Sequence, residues 1–434
     1  MTSNARPPRM LIGQLAPTCS GEVTLRGWVF RIRQLAKTTF IILRDCSGTA
    51  QCVVATEALR GVDIGVEDTV EVRGTIIQDA RAPGGFEVLA SAVIVLGAAN
   101  RSLPFHANSD LSQVGIDAIL EHRPLALRSE LATDVFRVQA AILAEFRAFL
   151  ARRHFTEIVT SKIVASGTEG GTNLFELKYF DRAAYLAQSP QFYKEQCVAA
   201  FERVFETGHV YRAEPHASSR HLTEYCSLDL ELGFIDGPEE IIQLERELLT
   251  SIFEGLSLSC GSALSRRGVT LPSMLKVPTW EFQECLERLK LAHGRSDLYD
   301  DLDPEGERQL CALAEQETGV PAVFVIGFPL SARPFYSMPR GTAGAAQSFD
   351  LLFRGLEVTT GGQRLHTRSS LEAALAARRL DPLSFGPHLT MFELGMPPHG
   401  GLAIGLERLT AQVLGLANVR EASLYPRDRY RIVP

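Results

Sequence analysis

Residues 212–229 read Arg212-Ala-Glu214-Pro-His216-Ala-Ser-Ser-Arg220-His221-Leu-Thr-Glu224-Tyr225-Cys-Ser-Leu-Asp229. They follow the strand-like stretch RVFETGHVY, residues 203–211. The pattern predicts two strands flanking a loop that carries His216, Arg220 and His221. Alternation places Arg212 and Glu214 on one face, and Tyr225 and Asp229 also share a face. Two arginines, two histidines, two glutamates, an aspartate and a tyrosine around one hairpin make a poor core. They suit a charged, planar, phosphorylated ligand: arginine offers forked donors to phosphate, and an aromatic ring can stack on a base. A salt-bridged surface hairpin is the other reading of the same residues.

Three further clusters lie outside this hairpin. In Gly400-Gly401-Leu-Ala-Ile-Gly405-Leu-Glu407-Arg408, glycines allow close backbone approach. A strand ending at Gly405 would open a helix with Arg408 near its start, where helix polarity favours anions; a tight packing turn is the alternative. Asp350 and Glu357 stand seven apart in SFDLLFRGLEV. On one strand they would face opposite ways unless a bulge or the turn at Arg354-Gly355 intervened. Brought together, they could share Mg²⁺, which favours oxygen ligands and phosphate partners. In Gln188-Ser189-Pro190-Gln191-Phe-Tyr-Lys194, a lysine in an apolar setting is costly to bury without a partner. It would suit an anionic substrate, or it could snorkel to solvent.

The chain around these clusters divides by pattern. Residues 1–103 hold five short β-branched or aromatic segments separated by turn signals such as Asp45-Cys-Ser-Gly48 and Pro83-Gly84-Gly85. That spacing suits an OB-fold barrel. Residues 104–128 read as a polar linker. From 129 to 434 the chain is α+β: an amphipathic helix from Ser129 to Arg152, then antiparallel-type strands with helices around them. FVIGF, SFDLLFRGLEV and LAIGL are strand-like by composition.

Composition bounds the rest. The chain has 434 residues, 45% hydrophobic and 22% charged, with net charge −7. These are globular values, and global charge does not advertise nucleic-acid binding. Arg26, Arg31, Arg33, Lys37 and Arg44 nevertheless lie between Glu22 and Asp45 with no acid among them, a local patch that can hold a polyanion. Eight scattered cysteines without a CxxC pair predict reduced, mostly buried thiols. No apolar run approaches the roughly 20 residues needed to span a bilayer, and no signal-peptide core opens the chain. A cytoplasmic protein with no membrane partner is expected.

Together the clusters resemble the signature elements of class II aminoacyl-tRNA synthetases. The Arg212 hairpin resembles motif 2, the Gly401 to Arg408 segment motif 3, and the helix ending in Phe155-Thr-Glu-Ile-Val-Thr160 motif 1. The full chain resembles aspartyl-tRNA synthetases of the archaeal and eukaryotic type. TEGGTNLFELKYFDRAAYLAQSPQFYK, RHLTEY, GGQRLH and GMPPHGG carry that resemblance. It implies ATP as a substrate, with Arg212 on the α-phosphate, Glu214 on the adenine amino group and Tyr225 stacked on adenine. Arg220 and His221 would lie near the outer phosphates, with Arg408 on the γ-phosphate side and Gly405 close by. Asp350 and Glu357 would hold Mg²⁺. L-Aspartate would meet Arg364 and Lys194 at its side-chain carboxylate, with Gln191 near. Asp229 and Glu169 would hold its α-amino group.

The resemblance also makes the barrel an anticodon-binding domain, with Phe40 stacking on a base and Gln51 reading one. Pro83 resembles the type that charges tRNA(Asn) as well as tRNA(Asp), whose product an amidotransferase then corrects. Phe30 matches neither the histidine nor the tryptophan version of its position. A homodimer is implied, although Ser161 stands where motif 1 usually has proline. Two alternatives remain at this stage: an asparaginyl-tRNA synthetase, against which Lys194 argues, and a non-catalytic RNA-binding paralogue, which would be expected to lose ATP-site residues.

Overall fold

A computed structural model describes residues 8–167, 174–215, 218–341 and 344–434. The chain forms two compact units, Met1–Ser129 and Glu130–Pro434.

The first unit is a closed five-stranded barrel. Its strands run in the order Gly21–Gln34, Thr38–Arg44, Thr49–Ala55, Phe86–Gly97, Thr69–Gln78. Alternation decides which side chains fill it. Leu25, Val29, Ile41, Leu43, Cys52, Val54, Val70, Val72 and Val88 point inward and are fully buried. The polar stretch after the barrel has structure of its own: two short helices, Ile116–Glu121 and Arg123–Ala126. Phe105, Ala107, Leu120 and Ala126 in it are buried. Scattered apolar residues, too short a run to show periodicity, are what anchor it.

The second unit is built on an eight-stranded sheet. Its order is Thr279–Glu281, Ala322–Ile326, Ser348–Phe353, Leu356–Gln363, His399–Gly405, Glu224–Gly233, Arg203–Tyr211, Thr156–Glu157. The inner pairs are antiparallel and the two outermost pairs are parallel. Helices Glu130–Arg152 and Pro238–Ser259 contribute Val138, Ile142, Phe146, Leu248 and Ile252 to one core with Leu228, Leu230, Leu402 and Ile404 of the sheet. Period-two alternation then turns Ser227, Asp229 and Glu231 to the opposite face. That face carries the candidate site.

The segment SFDLLFRGLEV is two strands, not one. It turns at Arg354-Gly355, where Arg354 (φ 49°) and Gly355 (φ 82°) both adopt left-handed backbone. The register then slips: Leu351 pairs with Thr359 but Leu352 with Glu357, which leaves Val358 as the extra residue of a bulge. The slip puts Glu357 on the same face as Asp350 and Thr360.

The cysteines are all free: Cys52, Cys260, Cys285 and Cys311 are buried, while Cys46 is exposed. No helix of the described residues is long and apolar enough to cross a membrane.

Candidate active site

A cleft on the polar face of the sheet is lined at one end by Gln191, Lys194, Asp229, Tyr336 and Arg364. Lys194 lies in the first turn of helix Gln191–Phe201 and is 1% exposed. It does not snorkel. Its Nζ lies 2.9 Å from Asp229 Oδ1 and 3.2 Å from Glu231 Oε2. Arg364 donates from Nε to Glu231 Oε1 at 3.0 Å and from a terminal nitrogen to the Gly401 carbonyl at 3.0 Å. Burial works to lower the Arg364 pKa, but the charge of Glu231, its hydrogen bond, Tyr336 and Glu195 together outweigh it and raise it.

Glu231 therefore joins both cations expected at a substrate carboxylate. It was not anticipated, yet Leu228-Asp229-Leu230-Glu231-Leu232 carries the signal: acids two apart on a strand point the same way. The close approach explains Gly401 as well. A Cβ there would sit 2.1 Å from the Leu230 carbonyl oxygen and 2.3 Å from Glu231 Oε2.

Gln191 is held from behind. Its Nε2 donates to Glu195 Oε1 at 2.6 Å, and Glu195 is fully buried. His388 and His399 bring Nε2 atoms to 3.3 and 3.5 Å from Glu195 Oε2. Burial alone would raise the Glu195 pKa; the two histidines reverse this and lower it. An ionised carboxylate only accepts, so the Gln191 amide must turn its nitrogen to Glu195 and its oxygen toward the cleft. Glu169 lies outside the described residues.

The other end of the cleft is lined by Arg212, Glu214, Arg220, His221, Tyr225, Glu357, Gly405 and Arg408. The eight residues expected at a nucleotide are thus brought together; His216 falls outside the described residues. The Arg212 guanidinium stands 5.8 Å from the Tyr225 ring centre. Gly405 ends its strand and caps helix Leu406–Leu414, placing Arg408 in the first turn. Arg408 donates to the carbonyls of Arg220 (3.4 Å) and Glu357 (3.1 Å). Glu407 turns inward and accepts from the Cys226 amide at 3.1 Å.

The candidate metal ligands differ in availability. Asp350 is clasped by Arg333 through two bonds, 2.9 and 2.7 Å, and accepts from Thr360 Oγ1 at 2.7 Å. Arg333 was not anticipated. Glu357 faces the cleft, 38% exposed. Desolvation first, and the Asp350 charge second, push its carboxyl up to about 7, against the pull of Arg408. Two hard carboxylates on one face, with Glu357 paired among the described residues only to Arg408 at 3.5 Å, fit a divalent cation that takes its remaining ligands from phosphate and water. Among the described residues no group of three or more His, Cys, Asp or Glu side chains could hold a metal alone.

In the barrel, the register places Phe40, Gln51 and Val53 on one outer face, with Leu89 beside Val53. Gln51 Nε2 donates to Glu87 Oε2 at 2.8 Å. Pro83 is exposed in a short turn, Pro83–Gly85. Phe30 packs against Arg31 and Arg44, 5.6 and 5.4 Å from its ring centre. The basic run is only partly open to a polyanion. Arg44 is buried and paired with Glu67 at 3.2 Å, and Arg26 pairs with Glu71 at 2.8 Å. Arg31, Arg33 and Lys37 remain exposed.

Comparison with known proteins agrees with this geometry. The family described as tRNA synthetases class II (D, K and N) matches residues 115–429, and the OB-fold nucleic acid binding domain matches residues 23–96. The aspartate–tRNA(Asp/Asn) ligase of Thermus thermophilus is 43% identical over 98% of this chain and 100% of its own. The aspartate–tRNA(Asp) ligase of Picrophilus torridus is 39% identical over 95% and 97%. The solved asparaginyl-tRNA synthetase of Pyrococcus horikoshii, complexed with asparaginyl-adenylate, superposes with a TM-score of 0.91 at 27% identity, covering 98% of this chain and 100% of that one. The chain belongs to the class II tRNA synthetases of the aspartate, lysine and asparagine group, ligases that here carry an OB-fold nucleic-acid-binding unit ahead of the catalytic domain.

Proposed function

We propose that this enzyme is an aspartate–tRNA ligase that charges tRNA(Asp) and also tRNA(Asn). The single observation that carries the amino-acid choice is the buried Lys194–Asp229 pair beside Arg364. Aspartate brings one ammonium and a side-chain carboxylate. Its ammonium would replace Lys194 beside Asp229, and its carboxylate would take the released Lys194 together with Arg364. Every charge keeps a partner, as burial demands. Asparagine would bring no side-chain charge, leaving Lys194 and Arg364 to share the single carboxylate of Glu231. The Gln191 oxygen, facing the cleft, suits the ammonium rather than the carboxylate.

The chemistry follows from the other end of the cleft. The aspartate α-carboxylate attacks the α-phosphorus of ATP in line, and pyrophosphate leaves. Arg212 would hold the α-phosphate with Glu214 and Tyr225 on adenine, so catalysis is mostly positioning and electrostatics. Arg220, His221 and Arg408 would draw charge from the leaving phosphates. Mg²⁺, held by Glu357 with Asp350 next to it, would add electrostatic stabilisation of phosphate charge. The ribose hydroxyl at the tRNA 3′ end then attacks the aspartyl carbonyl and releases AMP.

Phe40 and Gln51 would meet the anticodon, since unpaired bases are where RNA sequence is read. Pro83 supports the wider tRNA range. Aspartyl-tRNA(Asn) would then need a tRNA-dependent amidotransferase downstream. We expect a homodimer in the cytoplasm. The test is pyrophosphate exchange with each amino acid, then charging of both purified tRNAs. Exchange with asparagine but not aspartate would overturn the amino-acid assignment; no aspartylation of tRNA(Asn) would overturn the wider range.

A further inference from the structure

Helix Pro304–Thr318 is remote in sequence from every motif above, yet one of its side chains contacts two residues that line the nucleotide end of the cleft. Glu307 is 7% exposed. Its Oε2 accepts from the Glu357 backbone amide at 2.9 Å and from a terminal nitrogen of Arg220. Arg408 completes a ring: it donates from Nε to the Arg220 carbonyl and from a terminal nitrogen to the Glu357 carbonyl. Four residues from four separate segments thus fix one another, and Glu307 is the one among them that the sequence did not single out.

We propose that Glu307 is a positioning residue for the outer phosphates of ATP, presetting Arg220 and Arg408 before the nucleotide arrives. The inference rests on the ATP-site reading given above. Arginine has five N–H donors, and Glu307 takes one from Arg220, so the guanidinium can serve carboxylate and phosphate together. Holding a long side chain in place before binding removes an entropy cost that ATP would otherwise meet. The contact is not an incidental surface pair. Glu307 is buried and accepts from both the Arg220 guanidinium and the Glu357 backbone amide.

The experiment uses the full-length enzyme and the variants Glu307→Ala and Glu307→Gln. Kinetics of pyrophosphate exchange give KM for ATP and for aspartate. Calorimetry with magnesium compares ATP, pyrophosphate and AMP. Glu307→Ala is expected to raise KM for ATP by roughly tenfold, the scale of one lost charge-assisted contact. KM for aspartate and AMP affinity should stay unchanged, because AMP lacks the outer phosphates. Glu307→Gln keeps an acceptor without the charge and should fall between; it also keeps the test open if the alanine variant does not fold. In an Arg220→Ala background, Glu307→Ala should add little, since the two act as a unit. An unchanged or lowered KM for ATP would overturn the proposal, as would equal weakening of AMP and ATP. An unsubstituted enzyme that binds no ATP would instead sink the underlying site reading.

Discussion

Glu231 Oε2 lies 3.2 Å from Lys194 Nζ, and neither side chain is more than 1% exposed. The same carboxylate bonds Arg364, so one acid orients both cations of the amino-acid end. Removing one partner of such a cluster leaves an uncompensated buried charge, which costs about 3–5 kcal/mol. Lys194→Met, similar in length and uncharged, is therefore expected to lose aspartate-dependent pyrophosphate exchange by at least about a hundredfold. It should also lower thermal stability, because Asp229 then loses its cation while Glu231 keeps only Arg364. Exchange assays and melting curves on one preparation check both; full activity in the variant would remove Lys194 from the site.

Gln191 and Glu195 make a subtler case. Glu195 fixes which end of the Gln191 amide faces the cleft, and His388 and His399 beside it hold its carboxyl below the usual range. Glu195→Gln would offer Gln191 either a donor or an acceptor. The expected result is a KM for aspartate raised several-fold, about 1 kcal/mol, with KM for ATP unchanged. Equal losses for both substrates would point to general damage.

Much of this was legible in the sequence, and for physical reasons. The barrel strands show because a closed barrel enforces inside–outside alternation on every strand. Lys194 shows because a charged residue in an apolar helix demands an explanation. Pairings between distant residues do not show: Arg333 with Asp350, Arg220 with Glu307 and His388 with Glu195 are set by which segments the sheet brings together. The bulge at Val358 is likewise a property of pairing, though Glu357 depends on it to face the cleft. Ser161 looked like a defect of motif 1. The strand beside it supplies a different anchor: Glu206 accepts from the Thr160 amide and hydroxyl at 2.9 and 2.7 Å and pairs with Lys162 at 2.8 Å.

Glu245 gives a pH prediction away from the chemistry. It sits on helix Pro238–Ser259, fully buried. Burial pushes its carboxyl up from the usual 4.5 to about 8, with Arg246 opposing. Between those two values the folded chain holds a proton that the unfolded chain has lost. Stability must therefore fall as pH rises from about 4.5 to about 8, by at most about 1.4 kcal/mol per pH unit from this group. Above that the contribution levels off. Glu245→Gln, neutral and of the same size, should remove this part of the slope and melt higher than the parent at pH 8. Parallel melting curves at pH 6 and pH 8 read the difference directly; identical slopes would mean that Glu245 is ionised in the fold.

Phe40 separates the two halves of the reaction. Activation of aspartate needs only the cleft of the second unit, whereas charging also needs the tRNA held in place. Phe40 is half-buried on the outer barrel face, directly opposite Val53 in the register and near the exposed Arg33. Stacking one unpaired base on an aromatic ring is worth roughly 1–3 kcal/mol. Phe40→Ala should therefore lower kcat/KM for charging of tRNA(Asp) by roughly 5- to 150-fold while leaving aspartate-dependent pyrophosphate exchange unchanged. Its loss leaves the barrel core of Ile41, Leu43 and Cys52 intact, because Phe40 points outward. Phe40→Tyr keeps the ring and should restore most of the charging rate. A Phe40→Ala enzyme that charges normally would place the anticodon on another face of the barrel.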